Sequence, residues 1–151
     1  MPMIRFVICA MALAFSVVVP IKAAAEKAPV YTSWRNNIAM SGYDAVSFFS
    51  GKPQEGQQKY ATEYKGSVWY FQTVANRDLF KANPTAFEPQ YGGYCAWALA
   101  KGKLAKGSPK HWYVEDGKLY LNFNGRIRAR WLADKDDFIS SAEDFWPKIL
   151  N

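Results

Sequence analysis

Cysteine, histidine and methionine are scarce in this chain, and that scarcity removes whole classes of chemistry. The two cysteines are Cys9, inside an N-terminal apolar run, and Cys95; His111 is the single histidine, and Met40 is the single methionine beyond residue 25. A Cys-x-x-Cys oxidoreductase is excluded by count, and a closed zinc site, which takes four Cys or His ligands, cannot be assembled. Phosphate-cradling loops are missing too. Gly92-Gly93 lacks the dinucleotide-binding spacing, and Gly102-Lys103-Leu104-Ala105-Lys106-Gly107 does not end in Gly-Lys-Ser/Thr. Basic residues are interspersed with acids instead of forming a block, which argues against nucleic acid as a partner. No carboxylate pair, low-complexity tract or internal repeat stands out.

The first 25 residues carry an export pattern. A short start with Arg5 leads into an apolar stretch from Phe6 to Ile21, then Ala23-Ala24-Ala25 as a small-residue cleavage site. About 16 apolar residues fall short of the roughly 20 that a spanning helix needs, so residues 1–25 are expected to be a removed signal peptide. No second long apolar run follows, so no membrane span is expected in the mature chain, and its place is the periplasm or outside the cell. Removing Arg5 and Lys22 takes the formal charge from +6 to +4. Six tryptophans, nine tyrosines and ten phenylalanines, all but Phe6 and Phe15 beyond residue 25, give one domain enough apolar area for a core without disulfides.

Residues 26–37 read as a polar, loosely ordered lead, and residues 38–151 as the domain. Ile38 to Phe49 is a glycine turn followed by a packed strand or a single helical turn, with an ambiguous period. Gln58–Tyr64 and Ser67–Phe71 flank Lys65-Gly66 as a β-hairpin. Thr73 can cap a helix from Val74 to about Ala82, with Pro84 beyond its end. Tyr94 to Lys101 can form a short helix stopped by Gly102. Trp112–Val114 and Lys118–Phe123 form a second hairpin about Glu115-Asp116-Gly117; Asn124 can cap a helix from Gly125 to Ala133, and Ser141 one from Ala142 to Trp146. The expected fold class is α+β: a small single domain with antiparallel β-hairpins and short helices.

Four segments carry a resemblance: Gly42-Tyr43-Asp44-Ala45-Val46-Ser47-Phe48-Phe49, Tyr64-Lys65-Gly66-Ser67-Val68-Trp69-Tyr70-Phe71, Asn76–Pro84 and Pro89-Gln90-Tyr91-Gly92-Gly93-Tyr94-Cys95-Ala96. Together with the Lys110–Asn124 hairpin and Trp146-Pro147, the chain resembles the exported bacterial branch of the YHS domain family over nearly all of its mature length. Other members of that family are short cysteine-bearing modules attached to metal-transport ATPases, so the resemblance implies soft-metal handling. Metal-associated members have an Asp-Pro-x-Cys-type sequence where this chain has Asp44-Ala45-Val46-Ser47, and a cysteine where it has Gln72.

A soft Cu(I) site is less demanding than zinc and could use Cys95, His111 and Met40. Each also has a plain use, as a buried thiol, a surface imidazole and apolar filler. Cys95 and His111 could instead form a nucleophile–base dyad, with Asp44, Asp116 or Asn122 as the orienting group, though their spacing makes no motif. The aromatic clusters serve as core, or else as the wall of a small apolar pocket for a planar ligand such as haem or for a partner protein. Tyr43, Asp44, Tyr94 and Trp112 are the pocket candidates beside Cys95 and His111. The sequence thus supports an exported accessory or binding module whose leading ligand is a transition metal, copper first, held through Cys95; the alternative is a metal-free module for an envelope protein or a small ligand. A cysteine-dependent enzyme is the third.

Overall fold

The computed structural model describes residues 26–151; the expected signal peptide lies outside the described residues. Four strands and four α-helices alternate with 3-10 turns. Strands β1 (Gln57–Tyr64) and β2 (Ser67–Phe71) form one antiparallel hairpin, and β3 (Ser108–Glu115) and β4 (Lys118–Asn122) another. Helices are α1 (Val74–Ala82), α2 (Ala96–Leu99), α3 (Gly125–Ala133) and α4 (Lys135–Phe145). The α+β class with paired hairpins is as expected. No helix of the described residues is long and apolar enough to cross a membrane.

The elements repeat at a constant spacing, which overturns the expectation that the chain holds no internal repeat. β1, β2 and α1 begin at 57, 67 and 74, and β3, β4 and α3 at 108, 118 and 125, each 51 residues on and each with its counterpart's length. The irregularities repeat with them. Both hairpins shift register at the same place, between Gln57 and Ala61 and between Ser108 and Trp112. Both turns have two left-handed residues, Lys65-Gly66 and Asp116-Gly117, the twist a two-residue hairpin loop requires. The isolated bridges Ile38–Val68 and Tyr43–Glu55 recur as Pro89–Leu119 and Tyr94–Lys106. Sequence identity is sparse: Gly42-Tyr43-x-Ala45 matches Gly93-Tyr94-x-Ala96, Gly51-Lys52 matches Gly102-Lys103, and Gly56 and Gly66 match Gly107 and Gly117. Backbone-critical glycines persist while the side chains that fill the cores have changed.

Both cores are built from the same positions. Met40, Ala45, Phe48, Trp69 and Phe80 belong to the first, and their counterparts Tyr91, Ala96, Leu99, Tyr120 and Trp131 to the second. Leu119 and Leu121 of β4 insert into the first core, and Phe48 meets Trp112 edge-on with ring centroids 5.7 Å apart. The copies therefore share an interior and form one domain.

Local differences from the sequence reading have identifiable causes. The Ala45–Ser50 segment takes the helical of its two expected forms, a 3-10 turn capped by Asp44. The last helix starts at Lys135, with Ser141 inside it. Asp136 and Asp137 in its first turn suit the positive end of the helix dipole, and Phe138, Ile139 and Ala142 bring one face onto the second core. The polar lead is anchored at several points although Trp34 is exposed. Val30 is buried, Tyr31 N–H donates to Gly92 O, and Lys27 N–H donates to Leu150 O, both at 2.9 Å. Gly92 makes this possible, because a β-carbon there would collide with the Pro29 carbonyl.

Candidate functional site

The duplication places Asp44 and Cys95 at equivalent positions, and the two sites differ in one respect that matters. Asp44 is fully buried and its carboxylate is saturated. Oδ1 accepts from Val46 N at 2.9 Å and Ser47 N at 3.3 Å, while Oδ2 accepts from Gln72 N at 2.9 Å and Asn76 Nδ2 at 2.6 Å. One side chain thus ties the Ala45–Ser50 turn to the end of β2 and to α1. A carboxylate accepting four N–H bonds is satisfied and has no free lone pair for an incoming ligand.

In the second copy the carboxylate is replaced by the thiol of Cys95, 1% exposed. Its N–H donates to Ala105 O, as Asp44 N–H does to Gln54 O. Its Sγ lies 3.7 Å from Asn122 Oδ1, a weak thiol hydrogen bond, and the same oxygen accepts from Trp97 N at 3.2 Å. Asn122 occupies the position of Phe71 in the first copy and takes over one of the carboxylate's bonds, the one to the first turn of the helix. Its Nδ2 is buried without a partner.

Above the thiol opens a recess of about 270 Å³ lined by Cys95, Trp97, Ala98, Ala105, Phe123 and Ile127. In the first copy these positions are Asp44, Val46, Ser47, Gln54, Gln72 and Asn76, the residues of the Asp44 hydrogen-bond cage and its immediate neighbours. With Ile127 at the position of Asn76, Phe123 at that of Gln72 and a smaller thiol at that of the carboxylate, the second copy has an open apolar hollow where the first has a filled polar cage. Phe123, half exposed at its rim, is an apolar surface residue with no core to serve.

The expected site residues are dispersed around this centre. Met40 lies in the first core, in a left-handed conformation at the start of the Met40–Gly42 turn. Tyr43 and Trp112 both pack on Phe48. Tyr94 donates its hydroxyl to Ala28 O at 2.9 Å and stacks edge-on against Tyr31; burial, with Tyr31 adding to it, raises its phenol above the ordinary value. His111 sits in the register shift of β3, its ring 3.8 Å from where a Gly125 β-carbon would stand. The polar neighbour of Cys95 is Asn122, which the sequence offers only as a possible orienting group. Among the described residues no group of three or more His, Cys, Asp or Glu side chains is placed to hold a metal ion.

A larger groove of about 350 Å³ runs between Ser33, Asn36, Ser41, Glu55 and Tyr70. Glu55 is its only carboxylate and no thiol or imidazole reaches it. Protein-family models, curated proteins and solved structures contain no match to this chain.

Proposed function

We propose that the chain is an exported binding module of the YHS type, acting in the periplasm or outside the cell, whose recess over Cys95 takes a small, largely apolar ligand without a metal. The observation that carries this reading is the contrast between two equivalent positions, one closed by its own carboxylate and one left open. The open one combines concavity with apolar walls, the predominant composition of a small-molecule site.

A copper site has less support. Metal-associated YHS modules bear cysteines at the places held here by Ser47 and Gln72, and at the matching places of the second copy stand Ala98 and Phe123. Cys95 is at the aspartate position of that motif instead. The other side chains lining its recess carry no good ligating atom, and one thiolate alone makes a poor Cu(I) site. A thiol enzyme would need a base in hydrogen-bond reach, and the group beside Sγ is an amide.

The test combines metal analysis with ligand titration. Mature protein purified without chelator is expected to carry no stoichiometric metal, and Cys95→Ser is expected to leave Cu(I) uptake unchanged. Near-stoichiometric copper that disappears in Cys95→Ser would overturn the metal-free reading. Small apolar solutes are expected to shift the amide NMR signals of Trp97, Ala98 and Ile127 saturably; no shift with any of them would overturn the recess as the site.

A further inference from the structure

The groove on the first copy is lined by polar side chains that the fold does not use. Glu55 and the hydroxyls of Ser41 and Tyr70 make no hydrogen bond or ion pair among the described residues, and Asn36 engages only its Oδ1, as acceptor from Ile38 N–H at 3.2 Å. The second copy shows that the repeated unit does not require them. Gly92, Lys106 and Leu121 stand at the positions of Ser41, Glu55 and Tyr70. There the chain closes the place itself, with Leu121 packed in the first core and the Pro29 carbonyl over Gly92. The open, polar version belongs to the first copy alone.

Trp34 stands in the turn that supplies two of the groove's walls, Ser33 and Asn36. Its side chain is 88% exposed, more than any other large apolar residue among those described. The turn is braced by Asn36 N–H donating to Ser33 O at 3.1 Å and Arg35 N–H donating to Ser33 Oγ at 3.3 Å. The Arg35 guanidinium lies over the Trp34 ring, 4.9 Å from its centroid, and covers one face only. An indole left in water serves no core. At the rim of a groove it is a platform for a ligand with an apolar face and polar edges.

The groups on offer decide the ligand class. The hydroxyls of Ser41 and Tyr70 both give and take hydrogen bonds, Glu55 accepts and Asn36 Nδ2 donates. Glu55 is the sole formal charge among the lining residues, which disfavours an anion. A peptide added as a strand needs a free backbone edge, but Gly56 N–H already donates to Gly42 O at 2.8 Å and Glu55 is bridged to Tyr43. A pyranose with equatorial substituents matches: its axial hydrogens form an apolar face that stacks on indole, and its hydroxyls donate and accept around the edge. The volume of about 350 Å³ falls within the range of small-ligand sites. We propose that this groove, with Trp34 at its rim, binds a neutral oligosaccharide of equatorially substituted sugars. The site is separate from the recess over Cys95 and shares no lining residue with it, so either can fail without the other.

Cellotetraose and chitotetraose, titrated into the mature protein at neutral pH and followed by NMR, test this directly, with tetralysine as the probe for a ligand held by the Glu55 charge alone. At least one of the sugars is expected to shift the Trp34 indole N–H and the Ser33, Ser41 and Gly56 amides together and saturably, leaving Trp97, Ala98 and Ile127 of the recess unmoved. Silence from both sugars, or a response to tetralysine only, overturns the proposal. Trp34→Ala removes an exposed ring and should leave the melting temperature unchanged. It is expected to weaken the sugar by at least ~10-fold, as the loss of a stacking aromatic does; undiminished affinity overturns the proposal.

Discussion

Asp44 and Cys95 each precede an alanine, each donate a backbone N–H to the carbonyl ten residues on at 2.9 Å, and each open the same turn of the same repeated unit. One carries a carboxylate enclosed by four donors and the other a thiol under a hollow. That difference orders the consequences of substitution at the two positions.

Asp44→Ala should be among the most damaging changes in the chain. It strips acceptors from Val46, Ser47, Gln72 and Asn76 together, and breaking a buried network of this kind costs about 3–5 kcal/mol. Urea denaturation should show the loss as a lower midpoint; a shift under ~1 kcal/mol would mean the network is redundant.

Cys95→Ser should be far milder, within about 1–2 kcal/mol, because the hydroxyl can keep the bond to Asn122 Oδ1. Asn122→Leu removes that oxygen and leaves the Trp97 N–H unserved, but also deletes an orphaned Nδ2. The expected net cost is about 1–3 kcal/mol, less than for Asp44→Ala in the same assay.

The thiol should be shielded in the folded state. At 1% exposure, Cys95 should react with a bulky aromatic disulfide reagent at least ~100-fold more slowly than in urea, since thiol reactivity requires access. Reaction as fast as in urea would place the thiol outside the folded interior.

Hairpin glycines test the repeat directly. Gly66 and Gly117 have φ of 74° and 69°, and nothing lies within 4 Å of where a β-carbon would stand on either. Gly66→Ala and Gly117→Ala should therefore cost similar amounts, about 1–2 kcal/mol each, from left-handed strain alone. Gly92→Ala should cost more, because its β-carbon meets the Pro29 carbonyl. Thermal melts that separate Gly66→Ala from Gly117→Ala by more than a few degrees would contradict the equivalence.

Alkali should unfold the protein through its buried phenols. Tyr91, Tyr94 and Tyr120 are each raised above 10.0, first by burial and then by Tyr120, Tyr31 and Glu143 respectively. A group raised in the folded state holds its proton there after the unfolded chain has released it. Stability is thus whole below pH 10 and falls as pH rises through the folded values. Melting temperature measured from pH 8 to 12 should be flat, then drop; a constant value would remove these tyrosines as a stability term.

Much of this architecture is legible in the residues. Thr73 and Asn124 announce their helices as side-chain acceptors ahead of a periodic run, and each accepts from the N–H three residues on, Asn76 and Ile127. Glycine marks both hairpin turns. The repeat escapes detection because its core positions exchange freely among large side chains, Phe48 for Leu99 and Phe80 for Trp131, so the identities that survive are mostly glycines of backbone necessity. Helix α4 is obscured by Asp134-Lys135-Asp136-Asp137, which reads as a loop until the dipole is considered. Cys95 is conspicuous by its rarity, but the partner that defines its surroundings is Asn122, and an asparagine before a helix cap carries no signal of burial. Only the pairing of β4 with the turn before α2 brings the two together.

The insertion of Leu119 and Leu121 into the first core has a thermodynamic reach beyond packing. Those residues belong to the strand that ends at Asn122, beside Cys95, so the surroundings of the thiol and the interior of the other copy are expected to melt together. A ligand held at Cys95 should therefore slow hydrogen exchange at Phe48 and Trp69 as well. The closed copy thereby reports on the open one.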